Sequence, residues 1–365
     1  MKNLILLAIV FLFGSIVGNA YGFDATLSGC ALAAASMIPR GETSSILRVD
    51  IPDLSVVVLE VQRYFQHATG IWSGVKKEIS FEAYMRKIKN INATYVGTSF
   101  KAGEFLQAFK PGFHEKGSGQ FKPELTASFY MKLDVLINNF HSFWNTYLVY
   151  LEDEEKTASQ KPFTPWYVQN HVLPGIIDDL NKISVKGVYV DPTLPATPNA
   201  TPTIASADGI LTIIQKRITA TKLVPTVLTG VITQANTYDK VRAFDKGLPT
   251  WARGTKGPIF CSTTILEDYK DGYVANHGTQ TDYKGPDNTA QIYGTGRYLV
   301  GIPEFGASQR LLFDMPGNMI CTYDKTYLPT KVNAQEFNRD VKLMAELHRG
   351  YGFETLETVC VNDQA

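Results

Sequence analysis

Residues 110–119, Lys110-Pro111-Gly112-Phe113-His114-Glu115-Lys116-Gly117-Ser118-Gly119, form a turn-rich cluster between two β-prone runs, Tyr95 to Phe109 and Gln120 to Ile137. Glycine and proline punctuation between two strand-forming runs predicts a long β-hairpin. A lone two-stranded ribbon is marginal in water. Phe105, Phe109, Phe121, Phe129 and Met131 alternate with polar residues, so the ribbon is expected to have one apolar side and to lie against something else.

Upstream of the hairpin, Ser45 to Asp53 and Leu54 to Val61 are β-rich, and a polar, helix-compatible stretch around Phe65 to Asn90 follows. This is the texture of an extended arm. Downstream, Thr164 is placed to N-cap a helix with Pro165 at its first position. Val168, Val172, Leu173, Ile176, Ile177 and Leu180 then recur at helical spacing, and Pro174 predicts a kink. Strand-like Val185 to Val190 comes next, then a surface loop from Asp191 to Pro202 carrying Pro192, Pro195, Pro198 and Pro202.

Ser206 to Thr219 reads as a helix with Ile210, Leu211, Ile213, Ile214 and Ile218 on its apolar side, and Ile232 to Phe244 as another. Pro258 to Thr263 is a short apolar strand that feeds a helix at Thr264 to Tyr269. A polar loop from Asn276 to Asn288 leads to strand-like pieces at Arg297 to Gly301, Gln309 to Phe313 and Asn318 to Tyr323. Val341 to His348 and Phe353 to Val361 are expected to pair across Arg349-Gly350-Tyr351-Gly352. Helices followed by a run of strands give an α+β class.

Lys2, the apolar run Leu4 to Phe13 and the small residues Gly18-Asn19-Ala20 have the order of a secretory signal. The run is short for a membrane span, which takes about 20 residues. A hydrophobic arm packed inside an assembly is the alternative reading. Lys plus Arg and Asp plus Glu number 35 each, which argues against a protein that neutralises many phosphates. Cys30, Cys261, Cys321 and Cys360 are widely spaced without a C-x-x-C pair, so buried free thiols are expected rather than a zinc or redox centre.

The motifs of catalysis are missing from the sequence. The six histidines, at 67, 114, 141, 171, 277 and 348, form no H-E-x-x-H pattern. There is no G-x-S-x-G elbow and no phosphate-cradling glycine loop; Gly294-Thr295-Gly296 lacks the rest of one. Asp178 and Asp179 are adjacent on a helix and so point about 100° apart, and Asp282 and Asp287 lie in the polar loop. No catalytic residue, cofactor or metal site is assigned, and a secreted hydrolase finds no nucleophile and base.

Gly112, Phe113, Lys116, Gly117, Phe121 and Pro123 make up a G-F-x-x-K-G-x-x-x-F-x-P pattern. This stretch resembles the extended loop of major capsid proteins from tailed bacteriophages of Bacteroidota, crAss-like phages included. The order of elements from Ser45 to Asp363 resembles the Hong Kong 97-like phage capsid fold. The resemblance implies a division into a leader at 1–40, an N-terminal arm at 41–94, an extended hairpin loop at 95–138, a peripheral domain with a spine helix at 139–204, an axial domain at 205–289, and peripheral strands with a C-terminal hairpin at 290–365.

In that resemblance Phe105, Phe109, Phe113, Lys116, Phe121 and Pro123 belong to an intersubunit hairpin, and Pro165, Trp166, Val172, Ile176 and Leu180 to the spine helix. It implies a non-enzymatic subunit that assembles with itself into the hexamers and pentamers of a phage or prophage head in the host cytoplasm. Portal, scaffold and decoration proteins are the implied further partners, and DNA is enclosed without sequence-specific recognition. The signal-like N-terminus departs from the family's pattern. It supports a competing expectation, an exported bacterial cell-surface or envelope protein of adhesin or surface-layer type.

Overall fold

The computed structural model describes residues 81–97, 100–101, 106–112, 114, 116, 120–137, 166–194, 201–278, 288–325, 332–337 and 340–364. The leader, the arm as far as residue 80, Cys30, Phe105, Phe113, Thr164, Pro165, Asp282 and Asp287 lie outside them. Among the described residues the architecture is mixed helix and sheet, with two five-stranded sheets and two short two-stranded ribbons.

The first strands are β1 (Arg86–Ile88), β2 (Thr94–Val96), β3 (Phe100–Lys101), β4 (Gln120–Phe121), β5 (Leu125–Ala127) and β6 (Phe129–Ile137). A 3-10 turn at Glu82–Tyr84 precedes β1, so the helix expected to run to Asn90 is only a single turn where it is described. Residues 168–172 are wound as a π-helix, and α1 (Leu173–Lys186) follows. The described residues show this change of winding just before Pro174, the position where the sequence predicts a kink. Proline has no N–H to donate to the carbonyl one turn back, and the wider π winding just before it absorbs the missing bond.

Helix α1 continues to Lys186, where a strand was expected from Val185. Ile176, Ile177, Leu180, Ile183 and Val185 are all buried on the core, and that burial carries the helix past the β-branched residues. Only Val188 and Val190 extend beyond it, donating backbone N–H groups to the carbonyls of Ile204 and Ala205. Next come α2 (Ile210–Thr219), α3 (Thr237–Gly247) and the short α4 (Thr250–Arg253). Helix α3 starts five residues later than the periodicity predicts, because Asn236 first closes a turn by accepting from Thr233 N.

The remaining elements are β7 (Pro258–Ser262), α5 (Thr263–His277), β8 (Thr289–Gln291), β9 (Tyr298–Ile302), β10 (Leu312–Phe313), β11 (Met319–Thr322), β12 (Val332–Phe337), β13 (Asp340–Phe353) and β14 (Cys360–Val361). β7 and β9 are parallel neighbours in the sheet β14-β10-β7-β9-β8. Their nearly continuous burial is what a parallel pair covered on both faces requires. Ser262 ends β7 and caps α5 by accepting from Ile265 N. The helix then runs past Tyr269 to His277 and stops at Gly278, whose φ of 71° an L side chain rarely adopts. Gly301 lets α5 lie close on β9, since a Cβ there would come within 2.8 Å of Leu266 Cδ2.

The other sheet has the order β1-β11-β13-β12, with β6 also paired to β13. The expected C-terminal hairpin is not formed. Arg349-Gly350-Tyr351-Gly352 lies within the unbroken strand β13, and β14 pairs with β10 in the other sheet. The glycines give the strand clearance instead of a turn. A Cβ at Gly350 would run into the Ala127 carbonyl, and one at Gly352 into the Thr126 side chain, because β5 crosses there. The boundary drawn at 289/290 also cuts through a sheet, since β9 and β10 share it with β7 while β11 belongs to the sheet of β13.

The two sheets share one apolar cluster that joins Met131, Phe353 and Tyr351 to Phe260, Val300 and Leu312. Phe81 stands edge-on to Phe260 and Phe305 inside it, with ring centroids 5.2 and 5.9 Å away. A second cluster, around Phe244, Tyr269 and Leu299, lies between the β7–β9 layer and helices α3 and α5.

Candidate functional site

The hairpin forms as expected, in two pieces. β2 pairs with β5 through Tyr95 and Thr126, and β3 pairs with β4 through Phe100 and Phe121, in one continuous register. It differs from the expectation at both ends. Residues 106–110 are irregular rather than strand, and the second run breaks at Ser128, after which β6 leaves to pair with β13. Phe129 and Met131 therefore do not belong to the ribbon's apolar side. Met131 is buried in the core and Phe129 packs on Tyr189 at 4.3 Å.

The tip is braced by its own polar groups. Lys116 Nζ donates to the Leu106 carbonyl at 2.7 Å, and Gln107 Nε2 donates to the His114 carbonyl at 2.8 Å. Gly112 turns the chain with φ 98°. Against this bracing, Leu106 is 90% exposed and Phe109 94% exposed. Pro123 is exposed near the start of β5, and Phe121 is placed by its backbone pairing with Phe100.

The base is seated firmly. Glu354, just past β13, accepts from Tyr95 Oη at 2.8 Å and pairs with Arg86. Burial and this hydrogen bond hold the Tyr95 hydroxyl above its usual pKa. Arg217 of α2 pairs with Glu124 and donates to the Leu125 carbonyl at 3.2 Å. Gly97, Gly350 and Gly352 let the ribbon lie backbone against backbone on the sheet; a Cβ at Gly97 would meet the Glu354 carbonyl. The base is thus fixed on the subunit by polar and steric contacts, while Leu106 and Phe109 are left in solvent.

The residues assigned to the spine helix have a different place. Trp166, Ile176 and Leu180 are buried and Val172 is half-buried against the core. Trp166, Ile176 and Leu180 serve the subunit's own packing.

No protein-family model matches this chain, and no curated protein matches it in sequence. Solved structures similar to it include the satellite phage P4 procapsid with the size determination (Sid) protein, at a TM-score of 0.49 and 11% identity, covering 89% of this chain and 97% of that one. The capsid of a native GTA particle aligns at 0.47 and 12%, covering 79% and 90%. The holo-SrpI encapsulin complex of Synechococcus elongatus PCC 7942 aligns at 0.42 and 10%, covering 80% and 88%. Each is a likeness of backbone arrangement.

The described residues contain no group of three or more His, Cys, Asp or Glu arranged to hold a metal ion, and no helix long and apolar enough to cross a membrane. Cys261, Cys321 and Cys360 are buried free thiols. Burial pushes the Cys360 thiol up to about 11, and those of Cys261 and Cys321 higher.

Sequence reading missed two buried polar constellations. Arg349 and Glu82 lie 3.7 Å apart with neither exposed, and Tyr351 Oη donates to Glu82 at 2.6 Å, which ties the segment before β1 to β13. Asp245 of α3 is paired with Arg297 beside β9. Partners 52 or more residues apart leave no local pattern. It also missed Val224, Leu228 and Val231, exposed on a loop whose Thr229 and Gly230 N–H groups donate to the Asp363 carboxylate.

Proposed function

We propose that this chain is a shell subunit, the major capsid protein of a tailed phage or prophage, and that its hairpin docks on a neighbouring copy. The observation that carries the reading is the contrast within the hairpin, whose seated base holds Leu106 and Phe109 almost fully in solvent. Isolated exposed apolar side chains are ordinary. Two on a braced, projecting tip have the rigidity that lowers the ordering cost of association. Projecting hairpin, long helix and helix-covered sheet also follow one another in the order that the Hong Kong 97-like resemblance implies.

On this reading the copies form hexamers and pentamers around enclosed DNA, with portal, scaffold and decoration proteins as further partners. Phe105, Phe113, Lys116, Phe121 and Pro123 shape the docking ribbon beside Phe109, and the protein resides in the virion. The kinship to phages of Bacteroidota rests on the Gly112 to Pro123 pattern.

The test is electron microscopy with size-exclusion chromatography on the chain expressed in bacterial cytoplasm, complete and lacking residues 1–22, alongside a Leu106→Ser, Phe109→Ser double variant. Closed shells or large curved oligomers from the parent chain and folded small species from the double variant are expected. Monomers from both parent chains would defeat the shell reading and favour the exported envelope protein. Normal shells from the double variant would defeat the hairpin's role.

A further inference from the structure

Strand β13 buries every second residue, Val341, Leu343 and Ala345, and turns Lys342, Met344, Glu346 and His348 to the other face. Its register with β6 sets Tyr130 opposite His348, Lys132 opposite Glu346 and Asp134 opposite Met344 on that outer face. An antiparallel sheet with one face in water is ordinarily polar there. This one breaks the pattern, since Tyr130 is 58% exposed and Met344 stands among charged neighbours.

Tyr130, Met344 and His348 line a recess of about 620 Å³, with Asn333 of β12 in its wall. That volume is in the range of cavities that take up ligands. The Tyr130 and His348 rings stand 4.7 Å apart at one end of the recess. Charged residues of the lining are Asp134, Asp324 and Glu346 against Lys132 and Lys325. Lys132 is held by Asp134 at 2.7 Å, so the surplus charge is negative.

A recess of aromatic and thioether groups with a negative rim fits an apolar knob flanked by cations. The chain carries such a knob at the hairpin tip. Leu106 and Phe109 are almost fully exposed, so they do not fill the recess of their own subunit. Lys110, His114 and Lys116 surround them, against the acid Glu115. The exposed apolar segment Val224 to Val231 fits less well. It has no charged residue to meet the rim, and the backbone of Thr226, Thr229 and Gly230 ties it down to Val361 and Asp363.

We infer that the recess on the outer face of β6, β12 and β13 receives the Leu106–Phe109 tip of a second copy. The apolar side chains meet Tyr130, Met344 and His348, and Lys110 turns toward Asp324 and Glu346. The inference rests on the shell reading and names the surface of the neighbour that the hairpin meets. Tip and recess are different surfaces of one chain, so the contact is head-to-tail and repeats from copy to copy, making rings where the rotation closes.

The test mixes two full-length variants, Phe109→Cys and Met344→Cys, each diluted with parent chain so that shells form, and oxidises the particles with diamide. A disulfide requires Cβ atoms about 4 Å apart, so a covalent dimer on a non-reducing gel reports this contact between copies. The dimer is expected from the mixture and from Leu106→Cys in place of Phe109→Cys. It is expected to be absent from either variant alone and from the parent chain, whose Cys261, Cys321 and Cys360 are buried. Shells in which neither tip cysteine links to Met344→Cys would overturn the recess as the docking surface and leave the shell reading standing. Linkage from Leu228→Cys in place of the tip would do the same. Parent chains that form no shells would overturn both.

Discussion

The β2–β5 ribbon and the β7–β9 pair are both short-stranded, and they treat their apolar residues in opposite ways. Ile259 and Leu299 are enclosed in the cluster with α3 and α5, and Phe260 and Val300 in the cluster that the two sheets share. In the ribbon, Val96 and Leu125 are about half exposed, and at the tip Leu106 and Phe109 touch almost nothing of their own subunit. The parallel pair contributes to folding through the area it removes from water. The ribbon is held by polar and steric fixings at its base, which leaves its apolar surface unused by the fold.

If that division is right, Phe260→Ala, which empties a site in the shared core, should cost about 3–5 kcal/mol, read as a lower urea midpoint at unchanged slope. Gly352→Ala should come next. Its methyl group would collide with Thr126, so the ribbon must shift, at roughly 1–3 kcal/mol; no loss in urea melts would mean that the ribbon does not lie so close on β13. Arg217→Ala breaks the pair with Glu124 at the hairpin base. Since Arg217 keeps some solvent contact, about 1–2 kcal/mol is expected, less than for a fully buried pair, together with faster proteolysis of the hairpin.

The smallest stability effect belongs to Leu106→Ser, Phe109→Ser, within about 0.5 kcal/mol of the parent. A larger loss would show that the tip packs on its own subunit and would erase the contrast.

The strands β7 and β9 were readable from the sequence because their signals are local, whereas their parallel pairing was not. Pro258 to Ser262 and Tyr298 to Ile302 are apolar runs of strand length, and Ser262 is in place to cap the next helix. The hairpin was readable from its turn cluster, but the alternation does not account for Phe109, because residues 106–110 are not a strand. The same alternation misassigned Phe129 and Met131, since a period of two is identical whether a strand pairs within the ribbon or with β13. Arg349-Gly350-Tyr351-Gly352 reads as a turn because clearance for a crossing chain and freedom of φ call for the same residue. The Asp245–Arg297 and Glu82–Arg349 pairs depend on which distant segments meet, and composition does not carry that information.

Gly350 and Gly352 stand two residues apart on β13 beneath Ala127 and Thr126 of the crossing ribbon. A slip of β13 by one residue would bring Arg349 and Tyr351, or Tyr351 and Phe353, under the crossing, where no side chain fits. A slip by two would align only one glycine of the pair. The two glycines thus act as an index mark that gives the sheet and the base of the ribbon a single position relative to each other.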